Sequence, residues 1–87
     1  MKDQRAALTD RVVELLKQQL PHYVGKTALA AHTVLFDGGL NLDSMAAVEF
    51  ICVAEKHFDI EFDDNDLIEA NFQTPLAIAE LIMRKTK

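Results

Sequence analysis

Only one cysteine, Cys52, stands in the 87 residues, so no internal disulfide can form and nothing in the cysteine usage points to secretion. No run approaches the ~20 consecutive apolar residues of a membrane-spanning helix. The start, Met1-Lys2-Asp3-Gln4-Arg5, leads into no continuous apolar core of a signal peptide. The expected location is therefore the cytoplasm, with no membrane partner. Glycine and proline are scarce, and Pro21, Gly25, Gly38 and Gly39 all fall in one stretch. Positive charge is scarce where a nucleic-acid binder would need it. Asp43 to Glu69 holds nine acids against Lys56 alone, a net charge of −8, which excludes nucleic acid as a partner. Such a block attracts proteins with basic patches, over about one Debye length of ~8–10 Å.

What is present is apolar content, about half the residues, enough for a folded globule. The length gives a single domain over 1–87. A chain this short buries one modest core, roughly 60–65% of the surface its unfolded form exposes. That favours a binding or carrier module, working as a monomer, over an enzyme with a large cavity.

The periodicity predicts an all-α fold, a small four-helix bundle of three longer helices and one short one, with a long loop between helices one and two. Leu8, Val12, Leu15, Leu16 and Leu20 recur at three- and four-residue spacing and predict a helix from about Asp3 to Leu20. Pro21 ends it, because the residue before a proline is pushed out of the helical region. Residues 21–43 are read as loop, pinned to the bundle by Leu29, Val34, Leu35, Phe36 and Leu40. A loop that long in a compact domain is often functional. A second helix is predicted from Ser44 to Phe58, capped by Asp43 or Ser44. Asp59 to Phe62 is a link with Ile60 and Phe62 facing inward, and a short third helix is predicted from Asp64 to Ala70, capped by Asp63 or Asp64. Thr74-Pro75 opens the fourth helix as cap and first-turn proline. It runs to about Arg84 and buries Ile78, Leu81 and Ile82.

On a wheel of about 100° per residue, Ala47, Phe50, Ile51, Ala54 and Phe58 form the core face of the second helix. Met45, Val48 and Cys52 form another stripe, with Glu49, Glu55 and Lys56 beside it. An apolar strip edged by charge marks a partner surface. The alternative is that the first helix or the long loop covers it.

Leu40-Asn41-Leu42-Asp43-Ser44-Met45 resembles the Asp-Ser-Leu attachment motif of acyl carrier proteins. Phe36, eight residues before the serine, resembles a family aromatic. Val48-Glu49-Phe50, Glu55, Phe58 to Phe62 and Asp63 to Asp66 resemble the family's second helix, turn and third helix, and Thr74 with the apolar run after it resembles the fourth. The tripeptide alone is weak; its place at a helix start in an acidic four-helix chain of this length is the stronger sign. The resemblance implies a non-catalytic carrier. A phosphopantetheinyl transferase would move phosphopantetheine from coenzyme A to the Ser44 hydroxyl, next to Asp43. The arm's thiol would then hold acyl groups as thioesters. The implied partners are acyl ligases, acyltransferases and ketosynthases, meeting Met45, Val48, Glu49, Cys52 and Glu55.

Three departures stand out. Asn41 replaces a frequent glycine, Met45 replaces leucine, and Ala46 stands where many fatty-acid carriers have an acid, with Lys56 adding a cation further on. The second helix is thus less acidic than in a housekeeping fatty-acid carrier. That leans toward polyketide or related natural-product synthesis over fatty-acid synthesis. Other chemistries fit poorly. A serine hydrolase needs a histidine and an acid beside Ser44, and no G-x-S-x-G elbow occurs. Asp59 to Asp66 lacks the central glycine of a calcium loop. His22, His32 and His57 have no metal-ligand spacing. The remaining alternative is a helical interaction adaptor without a covalent cofactor, in which Ser44 is only a cap.

Overall fold

The computed structural model describes residues 4–21, 29–36 and 43–86, with residues 44 and 69 described by backbone alone. Among them are three α-helices and two short 3₁₀ turns, and no strand. Helix α1 spans Gln4–Gln19, α2 Ser44–Phe58 and α3 Pro75–Lys85; the 3₁₀ turns are Asp64–Asp66 and Glu69–Phe72.

Helices α1 and α3 form the main packing pair. Val12, Leu15, Leu16 and then Leu20 supply the buried stripe of α1, with Leu8 partly buried against the same core. Thr9 is the one buried polar side chain among the described residues, and its hydroxyl donates to the Arg5 carbonyl at 2.7 Å. Helix α3 answers with Ile78, Ala79, Leu81 and Ile82. Its start follows the sequence closely: Thr74 Oγ1 accepts from the Ala77 N–H at 3.1 Å, and Pro75 occupies the first turn. Leu16, Leu81 and Ile82 are wholly buried. Truncating any one to alanine would cost about 2–5 kcal/mol.

The buried face of helix α2 shares Phe50 and Ala54 with the expected one but takes in Ala46 in place of Ala47. Ala46, Phe50 and Ala54 are buried, an i, i+4, i+8 ridge, while Ala47, Ile51 and Phe58 are half-buried. The wheel is weighted by the bulk of Phe50, Ile51 and Phe58. Ala46 carries little weight there, yet its small size lets the start of the helix lie close to its neighbours. An acid at position 46 would be buried, so Ala46 belongs to the core and not to the charge pattern of the exposed face.

The short third helix expected over 64–70 is replaced by the two 3₁₀ turns. Aspartate and asparagine compete with helix by bonding to nearby backbone. Here Asp66 Oδ2 accepts from the Asp63 N–H at 2.8 Å, and Leu67 leaves the helical region with ψ 58°. The link before these turns is as expected: Phe62 is buried and Ile60 packs on the core. Asp59 adopts left-handed backbone (φ 55°, ψ 52°) and ends α2. The Asp59 and Ile60 N–H groups both donate to the Glu55 carbonyl, the latter at 3.0 Å, a Schellman-type end in which an aspartate takes glycine's place.

Part of the long loop lies in the described stretch 29–36. Leu35 is buried, and Leu29 and Phe36 pack against the core. Two backbone bonds tie this stretch to the entry of α3: Leu35 N–H to Gln73 O at 2.7 Å and Leu76 N–H to Ala31 O at 3.0 Å. Val34, expected to pin the loop, is 40% exposed, because the residues either side of it turn inward instead. Leu40, Asn41 and His22 lie outside the described residues.

Candidate functional site

The start of α2 is built by Asp43. Its backbone is extended (φ −91°, ψ 175°), its Oδ1 accepts from the Ala46 N–H at 2.8 Å, and its carbonyl accepts from the Ala47 N–H at 3.0 Å. Of the two capping candidates, Asp43 is therefore the N-cap and Ser44 the first helical residue. The N–H groups of the first turn ahead of Ala46 have no acceptor within the helix. Together with the helix dipole they make this end suited to an anionic group. Asp43 and Met45, on either side of position 44, are both exposed, Met45 to 76%.

Among the described residues, the threonine hydroxyls are committed to local structure. Thr9 bonds to the Arg5 carbonyl, Thr33 Oγ1 accepts from the Ala30 N–H at 2.9 Å, Thr74 caps α3, and Thr86 donates to the Met83 carbonyl at 3.2 Å. Ser44 is the only serine in the chain.

The stripe of α2 faces outward. Val48 is 57% exposed, and Glu49 and the free thiol of Cys52 are exposed. Val48, Glu49 and Cys52 line an open groove of about 490 Å³ with Val53 and with Gln19 and Leu20 at the end of α1. Thus α1 borders the stripe without covering it. Glu55 stands apart from the group. It is half-buried, and its Oε2 accepts from the Phe62 N–H at 2.9 Å, holding the link after α2.

Two features were not visible in the sequence pattern. Leu67 and Ile68, between the 3₁₀ turns, are 45% and 52% exposed. Beside them Lys85, in the last turn of α3, bonds Asp66 Oδ2 and, at 2.9 Å, Asp63 Oδ2. The Lys85 ammonium, and secondarily the Asp63 N–H, hold the Asp66 carboxyl below the ordinary carboxylate range; Asp66, then Asp63, raise the Lys85 pKa. Asp66 has its folded pKa depressed, so its contribution to stability is present above the unfolded value and fades as pH falls below about 4. Lys85 has its folded pKa raised, so its contribution is complete below the unfolded value and fades as pH rises past about 10. Thermal melts of wild type and Lys85→Met against pH should differ by a constant amount through the neutral range. The difference should shrink at both extremes.

Residues 10–82 match the sequence profile of the family described as phosphopantetheine attachment site. The chain belongs to that family. Among curated proteins none matches it closely enough to count as a relative. A phosphopantetheine-attachment protein holds its prosthetic group covalently, and such domains are generally non-catalytic carriers that meet phosphopantetheinyl transferases and acyl-processing enzymes. The residues of this phosphopantetheine-attachment protein suit the group. A primary hydroxyl can form the phosphodiester, the helix N-terminus favours its negative charge, and the neighbouring positions are open to solvent. When bound, the group supplies a flexible arm ending in a thiol. No helix among the described residues is long and apolar enough to cross a membrane.

Proposed function

We propose that the chain is an acyl carrier protein whose phosphopantetheine is attached to Ser44 and whose acyl cargo is held as a thioester. The observation that carries this reading is the place of Ser44. It is the chain's sole serine and the first residue of a helix capped by its neighbour, in a protein of the phosphopantetheine-attachment family. In the loading reaction the Ser44 oxygen would bond to the phosphorus next to the pantetheine of coenzyme A, the pyrophosphate P–O bond would break with adenosine 3′,5′-bisphosphate as leaving group, and the serine proton would pass to a base of the transferase or to water. Asp43 keeps the helix start in shape while this happens. Its carboxylate is engaged with the Ala46 N–H, so its part is positioning.

Transferase, acyl ligase, acyltransferase and ketosynthase dock on Met45, Val48, Glu49 and Cys52, a solvent-facing strip with an acid on its flank. Glu55 serves that surface through the link it holds. With Ala46 in the core, Lys56 remains the departure in charge from a housekeeping carrier that lies on the exposed face. It keeps the assignment leaning toward polyketide or related natural-product synthesis over fatty-acid synthesis. The protein works as a monomer in the cytoplasm.

The test uses acyl-coenzyme A as the donor for a broad-specificity transferase. The protein should gain an acylated arm, and neutral hydroxylamine should remove the acyl group while leaving the arm. An acyl group that resists hydroxylamine is not a thioester and contradicts the carrier reading.

A further inference from the structure

An open cleft of about 350 Å³ lies at the far end of α2 from Ser44, where the three helices meet. From Ser44 to Phe58 the helix rises about 20 Å, at about 1.5 Å per residue. The volume is at the small end of the ~300–1,000 Å³ range of ligand clefts. Its floor is apolar: Leu8 of α1 and Phe58 of α2 are half-buried, and Ile82 of α3 is wholly buried. Its lip carries Arg11 and His57, both exposed, and no acid lines it among the described residues.

Phe58 fixes both polar groups against that floor. The Arg11 guanidinium carbon stands 5.6 Å from the Phe58 ring centroid, and the His57 ring meets the same ring edge to face at 4.9 Å. A guanidinium laid on an aromatic ring keeps its N–H edge for an acceptor. Among the described residues Arg11 forms no ion pair, although Asp10 and Glu14 line a neighbouring groove that shares Arg11 and His57. The imidazole of His57 offers at least one N–H beside the guanidinium. The nearby helix ends are closed: the Glu55 carbonyl accepts from the Ile60 N–H at 3.0 Å, and the Ile82 carbonyl from the Thr86 N–H at 3.0 Å. Arg11 is left as the one permanent charge lining the cleft. A ligand that fits both parts has a planar anionic head, which a guanidinium holds through paired N–H bonds, and an apolar tail for the floor. An inorganic anion lacks the tail, and a neutral lipid lacks the head.

We propose that this cleft binds amphipathic carboxylates, small free acids with an alkyl chain. The head sits on Arg11 and His57, and the tail covers Leu8, Phe58 and Ile82. The inference stands apart from the carrier reading of Ser44, because every group it uses lies at the other end of α2.

The probe is octanoate, added to the unmodified protein at fixed ionic strength and neutral pH and followed by amide NMR. Wild type should show saturable shifts centred on Leu8, Arg11, His57 and Phe58, with Kd on the order of 1 mM. Octanol, which lacks the charge, and acetate, which lacks the tail, should each bind about tenfold more weakly. Arg11→Met keeps an unbranched apolar stem and removes the guanidinium, and should weaken octanoate about tenfold. Ala7→Glu, at an exposed position lining the cleft, should weaken it to a similar degree, about tenfold, by repulsion, which keeps a test in hand if Arg11→Met folds poorly. Shifts that rise linearly without saturating, shifts centred on Val48 and Cys52 instead, or octanol binding as tightly as octanoate would each overturn the proposal. So would wild-type affinity in both Arg11→Met and Ala7→Glu.

Discussion

Ser44→Ala should remain folded and gain no mass when incubated with a phosphopantetheinyl transferase and coenzyme A. The substitution deletes the one hydroxyl at the start of α2, and alanine offers no atom that can form the phosphodiester. The structural consequence is small, because the cap is Asp43, whose carboxylate holds the Ala46 N–H at 2.8 Å whatever stands at position 44. A cap residue itself is worth about 0.5–2 kcal/mol against a total stability of about 5–15. Position 44 is not the cap, so the change in stability should fall below that range. Circular dichroism and a thermal melt would show a helical, cooperatively unfolding variant, and intact mass would show no addition. A modified Ser44→Ala protein would place the group elsewhere. Thr33 and Thr74 are each committed to a local hydrogen bond, and Thr27 lies outside the described residues.

Met45→Glu and Val48→Asp should each impair loading about tenfold or more while moving the melting temperature little. Both side chains are more than half exposed, so neither charge has to be buried in the free protein. At an interface each would face apolar contact that cannot solvate it. Surface substitutions of this kind usually change stability by no more than about 0.5 kcal/mol. Unfolding of either variant would mean that the strip is core. Docking that depends on Glu49 and the acids after α2 should also weaken as salt rises, since exposed charge pairs are screened. Transferase KM should therefore climb with ionic strength, and a flat profile would count against the acidic surface as a docking determinant.

Much of this site was legible because its signals are local. Thr74-Pro75 marks a helix start by its own geometry, and the structure begins α3 there. The Asp43-Ser44 boundary was equally readable, although which of the two caps the helix depended on a single hydrogen bond. The stripes of α1 and α3 follow a period that few residues interrupt. What was missed depends on contacts distant in sequence or on competition between weak preferences. Asp63 to Asp66 reads as a cap followed by a helix, yet the same carboxylates bond their own backbone and a lysine about twenty positions away, and the helix gives way to 3₁₀ turns. Nothing in the local pattern announces Lys85 as their partner. The exposure of Leu67 and Ile68 follows from that replacement, since a regular helix would have had a face to bury. Ala46 was misjudged for a related reason: a small side chain contributes little to a hydrophobic pattern, although closeness of packing depends on it.

The central claim is covalent loading at Ser44, and the most direct measurement is the intact mass of the wild-type protein after incubation with coenzyme A and a broad-specificity phosphopantetheinyl transferase, with peptide mapping of the product. The account predicts one added phosphopantetheine group per chain, located on the peptide that contains Ser44. A protein that stays at its unmodified mass with several transferases, or one that carries the group on another residue, would contradict it.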